Sequence, residues 1–166
     1  MPVYSPPPET PHGAPAGIYY RTGNDEAMTS SPYAASLRIS LEQSTFWQTK
    51  KRFANARQRL GVIAHLAPGW DSYGSELPNT RARSLAARIL DLLETVALPP
   101  TQLTPSVEGG IAISFVDGNA RAVIEIYNTG EIAAATYSDQ ADPTVWEPTD
   151  SQLLGSIERI RVHLAA

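Results

Sequence analysis

The sequence predicts one α+β domain, a three-stranded antiparallel β-meander packed by two or three helices in the order α-α-β-β-β-α, behind a disordered Pro-rich N-terminal arm. Three observations carry that expectation. Apolar residues over 44–67 and 79–97 recur at helical spacing. From Ile111 the apolar period falls to two, and Asp117-Gly118-Asn119 and Asn128-Thr129-Gly130 divide the run with turn chemistry. Beyond residue 150 the helical spacing returns. A length of 166 residues suits one domain rather than two.

Residues 1–32 are read as the arm and 33–166 as the domain. Proline lacks an amide donor and fixes φ, so Pro6-Pro7-Pro8 favours extended polyproline II. Ile18-Tyr19-Tyr20 is the one apolar knot in this stretch.

The first helix is expected over 44–67. Phe46, Phe53, Leu60 and Ala67 recur every seven residues, with Ala56 and Ile63 three beyond Phe53 and Leu60. Ser44 is the expected N-cap, and Pro68-Gly69 the stop. Lys50, Lys51, Arg52, Arg57 and Arg59 occupy the opposite face. The second helix, 79–97, is capped by Asn79 or Thr80. Its apolar stripe is Leu85, Ile89, Leu92, Leu93 and Val96, and Pro99-Pro100 blocks continuation. Three strands are expected at 111–115, 122–127 and 131–137, with Ile111, Ile113 and Phe115 sharing a face and Ala122, Ile124 and Ile126 another. Residues 139–149 are read as a loop. Asp150 or Ser151 then caps a last helix with the stripe Leu153, Leu154, Ile157, Ile160 and Leu164.

Composition narrows the function classes. No cysteine is present, which removes disulfides, Cys-ligated zinc, iron–sulfur clusters and thiol nucleophiles, and leans towards a cytoplasmic home. No apolar run spans a membrane, and the N-terminus has neither the basic nor the apolar region of a signal peptide. The net charge of −4 argues against a general nucleic-acid binder. That charge is uneven: residues 50–88 sum to +6, residues 89–166 to −8 and residues 1–49 to −2. A dipolar chain of this kind can pair with a second copy or offer two faces to two partners.

Catalytic patterns are absent from the sequence. His12, His65 and His163 are scattered, and no paired-His zinc motif, nucleophile elbow, P-loop or dinucleotide fingerprint occurs. Gly109-Gly110 stands alone before a strand and reads as a turn. Asp71 and Glu108 are the one acidic pair whose meeting in space would permit acid–base chemistry. No cofactor and no metal are expected.

The most distinctive stretch is Pro68-Gly69-Trp70-Asp71-Ser72-Tyr73-Gly74-Ser75. In a structural reading, Trp70 and Tyr73 plug a corner while Asp71 accepts hydrogen bonds from the amides of the next turn. In a recognition reading, the aromatics anchor a partner and Asp71 orients a polar or cationic group. Gly69, Trp70, Asp71, Tyr73 and Gly74, then Pro99 and Pro105, then Glu108, Gly109 and Gly110, then Ile111 and Ile113, resemble a family of small uncharacterised bacterial proteins marked by Gly-Trp-Asp-x-Tyr-Gly. The resemblance covers roughly 66–137. It implies a helix after the loop and a β-meander after that, and it supplies no activity. Where the family pattern has a Trp near the end of the first strand, this chain has Phe115.

The function expected from these residues is a non-catalytic protein-interaction module, an accessory or regulatory subunit of a bacterial complex of toxin–antitoxin, immunity or phage-defence type. Its partner-binding residues are Trp70, Asp71, Tyr73, Lys50, Lys51 and Arg57, with a protein as partner and a homo-oligomer also open. The alternative is a nucleic-acid-binding accessory protein that uses the basic first helix, with Trp47 as a stacking surface.

Overall fold

The structure is a computed structural model that describes residues 32–139 and 141–166, with side chains from residue 43 onward. The chain divides into two compact units, Met1–Ile39 and Ser40–Ala166. Apart from Pro32, the arm expected over 1–32 lies outside the described residues. The second unit holds the α+β fold.

Helix α1 (Pro32–Ile63) is longer than its apolar stripe predicts and starts earlier. Pro32 suits a first helical position, where the missing N–H has no intrahelical acceptor to lose. Ser44 is therefore inside the helix and does not cap it. The end also differs: the helix stops at Ile63, not at 67. Proline obstructs the carbonyl four residues before it and pushes its predecessor out of the α region, so Pro68 acts a full turn upstream. The stripe is buried only in the last turns. Phe53, Ala56 and Ile63 enter the core and Leu60 packs against it, whereas Phe46 and Ala67 are exposed.

Helix α2 (Thr80–Thr95) lies where it is expected, but its buried face is turned from the expected stripe: Ile89 and Leu93 are buried, whereas Leu85, Leu92 and Val96 only pack against the core in part. Asn79 is its N-cap, with the Oδ1 accepting from Ala82 N–H at 3.0 Å. Ala82, Ala86, Ile89, Leu90 and Leu93 are buried along one face.

The sheet has five strands, not three. β1 (Gln102–Ser106), β2 (Gly110–Asp117), β3 (Ala120–Tyr127), β4 (Ile132–Ser138) and β5 (Ala141–Trp146) lie in sequence order, each antiparallel to the next. The three expected strands form its centre. The two additional ones are its edges, and each contains a proline, Pro105 or Pro143. An edge strand tolerates proline because one side of its backbone needs no partner.

Register explains the core. Leu103, Ile113, Ile124, Ala134 and Trp146 align across all five strands on one face. That face meets α2 and α3 (Leu153–Leu164), whose Leu153, Ile157 and Ile160 are buried and whose Leu154 points to solvent. The last helix is capped otherwise than expected. Thr149 precedes a 3-10 turn, Asp150–Gln152, and donates its N–H to Gln152 Oε1 at 3.0 Å. Indole and hydroxyl then join edge to helix, with Trp146 Nε1 donating to Ser156 Oγ at 3.0 Å.

Candidate functional site

The loop between α1 and α2 is built around one carboxylate. Asp71 Oδ1 accepts from the N–H groups of Tyr73 (3.1 Å), Gly74 (3.2 Å) and Ser75 (3.3 Å), and Oδ2 accepts from the Ser75 hydroxyl. Gly69 and Gly74 take left-handed backbone, φ +78° and +85°, and Ser72 joins them at +63°. The Ser75 hydroxyl, with the backbone donors behind it, holds the Asp71 carboxyl below its ordinary range.

These bonds divide the two readings of the loop. Asp71 is occupied by its own turn, as the structural reading expects. Trp70 is half-buried, and its Nε1 is shielded from solvent with no hydrogen-bond partner among the described residues. Tyr73 plugs nothing: it is 93% exposed, carried outwards on backbone that Asp71 fixes. Among the described residues no hydrogen bond or ion pair joins Asp71 to Glu108. Glu108 lies instead in a shallow depression with Glu76, Gly109 and Asn128.

The basic face of α1 is turned inward electrostatically. Lys50 Nζ meets Glu94 Oε1 at 2.8 Å, while Arg57 reaches Asp91 at 2.7 Å and Glu94 at 2.8 Å. The hydrogen bond to Asp91 leads in raising Arg57 above its ordinary value, and those from Lys50 and Arg57 lower Glu94. Arg88 likewise binds Asp150 at 2.8 Å. Basic residues of the +6 segment thus meet acids of the −8 segment within one chain. Lys51 is exposed and takes no part in these pairs. Trp70, Asp71 and Tyr73 cluster because they lie within four residues of one loop, and among the described residues no bond links them to Lys50, Lys51 or Arg57.

A second aromatic group lies on α1. Phe46 and Trp47 are 55% and 69% exposed, edge to face with centroids 5.7 Å apart, and Lys50 Nζ stands 5.8 Å from the Phe46 ring. Their exposure separates them from the buried stripe to which Phe46 belongs by spacing alone.

Among the described residues no cluster of His, Asp or Glu is placed to hold a metal ion, and no helix is long and apolar enough to cross a membrane. No family model, curated protein or solved structure matches this chain.

Proposed function

We propose that the chain is a non-catalytic protein-interaction module, an accessory or regulatory subunit of a bacterial cytoplasmic complex. One observation carries the reading: Phe46 and Trp47 face solvent from helix α1, and Tyr73 does so from the turn that Asp71 fixes. Large aromatics add contact area at low entropic cost, and they dominate binding energy where a partner desolvates them. The titratable groups support it from the other side. Asp71 is saturated by its own turn, and Lys50 and Arg57 are spent on α2, so none is poised to move a proton or clasp a substrate. Partial neutralisation of the α1 face also weighs against the nucleic-acid reading, since paired cations release fewer counterions.

The test is affinity capture of the tagged chain after nuclease treatment, run with wild type, Trp47→Ala and Tyr73→Ala. A protein retained at near-equal amounts by wild type and lost by either variant supports the module. Recovery that disappears with nuclease, and is indifferent to both aromatics, overturns it in favour of nucleic acid.

A further inference from the structure

The fold leaves one strand edge open inside a cleft. β4 is paired with β5 from Ala134 onward, Ala134 facing Trp146, and the same register would place Pro148 opposite Ile132. Proline has no N–H to give, and the ladder ends there. Hydrogen bonding along an antiparallel strand alternates sides from residue to residue. Glu131 turns its carbonyl towards β3, accepting from Tyr127 N–H at 2.9 Å. Ile132, one residue on, therefore turns its own N–H and C=O away from β3, to the side that β5 has vacated. Ile132 as a whole is 6% exposed, and it lines the cleft on that side.

That side opens into a cleft of about 790 Å³, within the range that ligand sites use. Arg81 and Arg88 of α2 line one wall, and Glu147 and Pro148 another. Arg88 is matched by Asp150. Arg81 has no acid partner among the described residues. Its guanidinium lies across Gly130, where a Cβ would sit 2.1 Å from Nε.

We propose that this cleft binds an extended peptide ending in a free carboxylate, which pairs its main chain with Ile132 and sets the carboxylate on Arg81. A strand edge supplies main-chain affinity without regard to sequence. A guanidinium fork supplies the carboxylate with two parallel donors. Glu131, Glu147 and Asp150 line the same cleft, so acids beyond the one carboxylate held on Arg81 are disfavoured. The site is separate from Phe46, Trp47 and Tyr73, so its failure leaves the interaction module standing.

The test is fluorescence anisotropy on the full chain with fluorescein-Gly-Thr-Val-Thr-Val as the probe, in free-acid, C-terminal amide and N-methylated forms. The free acid is expected to bind saturably. The amide, the peptide N-methylated at its penultimate residue and the Arg81→Ala protein are each expected to bind at least about tenfold more weakly. Arg81→Lys keeps the charge and loses the fork, so it is expected to fall between. The Ile132 amide resonance should shift on titration with the free acid. Absence of binding by wild type at millimolar peptide, binding indifferent to amidation or to Arg81→Ala, or preference for a lysine-ended amide would each overturn the assignment. Arg81 is an exposed helix position, so folding of the variant is checked directly by circular dichroism.

Discussion

Asn79 and Asn128 hold each other across 49 residues of chain. Asn79 N–H donates to Asn128 Oδ1 at 2.8 Å, and Asn79 Nδ2 donates to the Asn128 carbonyl at 2.9 Å. Each side chain has a second duty. Asn79 Oδ1 caps α2, and Asn128 Nδ2 donates to the Leu77 carbonyl at 2.9 Å. One pair of amides thereby ties the start of α2 to the β3–β4 turn. The same turn closes the end of the cleft where Arg81 lies, so the pair positions that site as well as the helix.

Substituting either asparagine therefore costs more than a cap. Asn79→Ala removes the cap and the bond to the turn, an expected loss of about 1–3 kcal/mol. Asn128→Ala removes the partner side and is expected to cost about 1–2 kcal/mol. Because both act through shared bonds, the double variant should lose less than the sum, with a coupling of about 0.5–2 kcal/mol. Urea unfolding of the four proteins measures the cycle, and strict additivity would show the two asparagines acting independently.

Asp71 makes the loop sensitive to acid. Its folded value lies below its ordinary value of 3.8, because the charged form accepts from the Ser75 hydroxyl and three amides. A depressed carboxyl contributes stability that is complete above the unfolded value and is lost as pH falls through the folded one. The loss thus falls at and below about pH 4. Asp71→Asn keeps an oxygen acceptor for the amides but cannot titrate. It should lower stability at neutral pH and flatten the acid slope, which urea midpoints measured from pH 7 downwards would show. An unchanged acid slope would remove Asp71 from the account.

The central meander and α2 were legible because burial imposed a period on them. Ile111, Ile113 and Phe115 alternate with half-buried neighbours, and Asn79 announces its helix. The edge strands lack that signal. β5 carries one half-buried residue, Trp146, and its Asp142-Pro143 imitates a turn, while β1 has a single large buried hydrophobe, Leu103. The early start of α1 had no signal in the stripe, which begins at Phe46, fourteen residues after Pro32. In the site, the Asp71 turn was legible from local chemistry. The partners of Lys50 and Arg57 were not, since ion pairs between residues 34 to 44 apart follow from helix docking and not from spacing. The open edge at Ile132 had one signal, Pro148, which means something only once the strand register is known.

Two glycine substitutions should act in opposite directions. A Cβ at Gly110 would lie 2.0 Å from the Ile126 carbonyl oxygen on backbone at φ +145°, so Gly110→Ala must break the β2–β3 ladder. A loss above about 4 kcal/mol is expected, visible as failure to fold or as insoluble protein. Gly61 lies inside α1, with nothing within 4 Å of its Cβ position. Gly61→Ala should stabilise by about 0.5–1 kcal/mol, because alanine has less backbone freedom to lose on folding. Thermal melts of the two variants provide the comparison.

Glu94 is the acid that pairs with two cations of the α1 face, Lys50 and Arg57. It binds both Lys50 and Arg57, and Arg57 retains only Asp91 when Glu94 is gone. Glu94→Gln therefore removes the acid partner of Lys50 and loosens Arg57 beside the exposed Lys51. If neutralisation is what limits nucleic-acid contact, the variant should elute from heparin at higher salt than wild type. On a DNA duplex the plot of log affinity against log salt should steepen by about 0.9 for each cation released. Wild type should show a slope shallower than the five basic residues between Lys50 and Arg59 would give if all were free. A wild-type slope already as steep as that of Glu94→Gln would mean the ion pairs open on contact, and would restore the basic helix as a nucleic-acid surface.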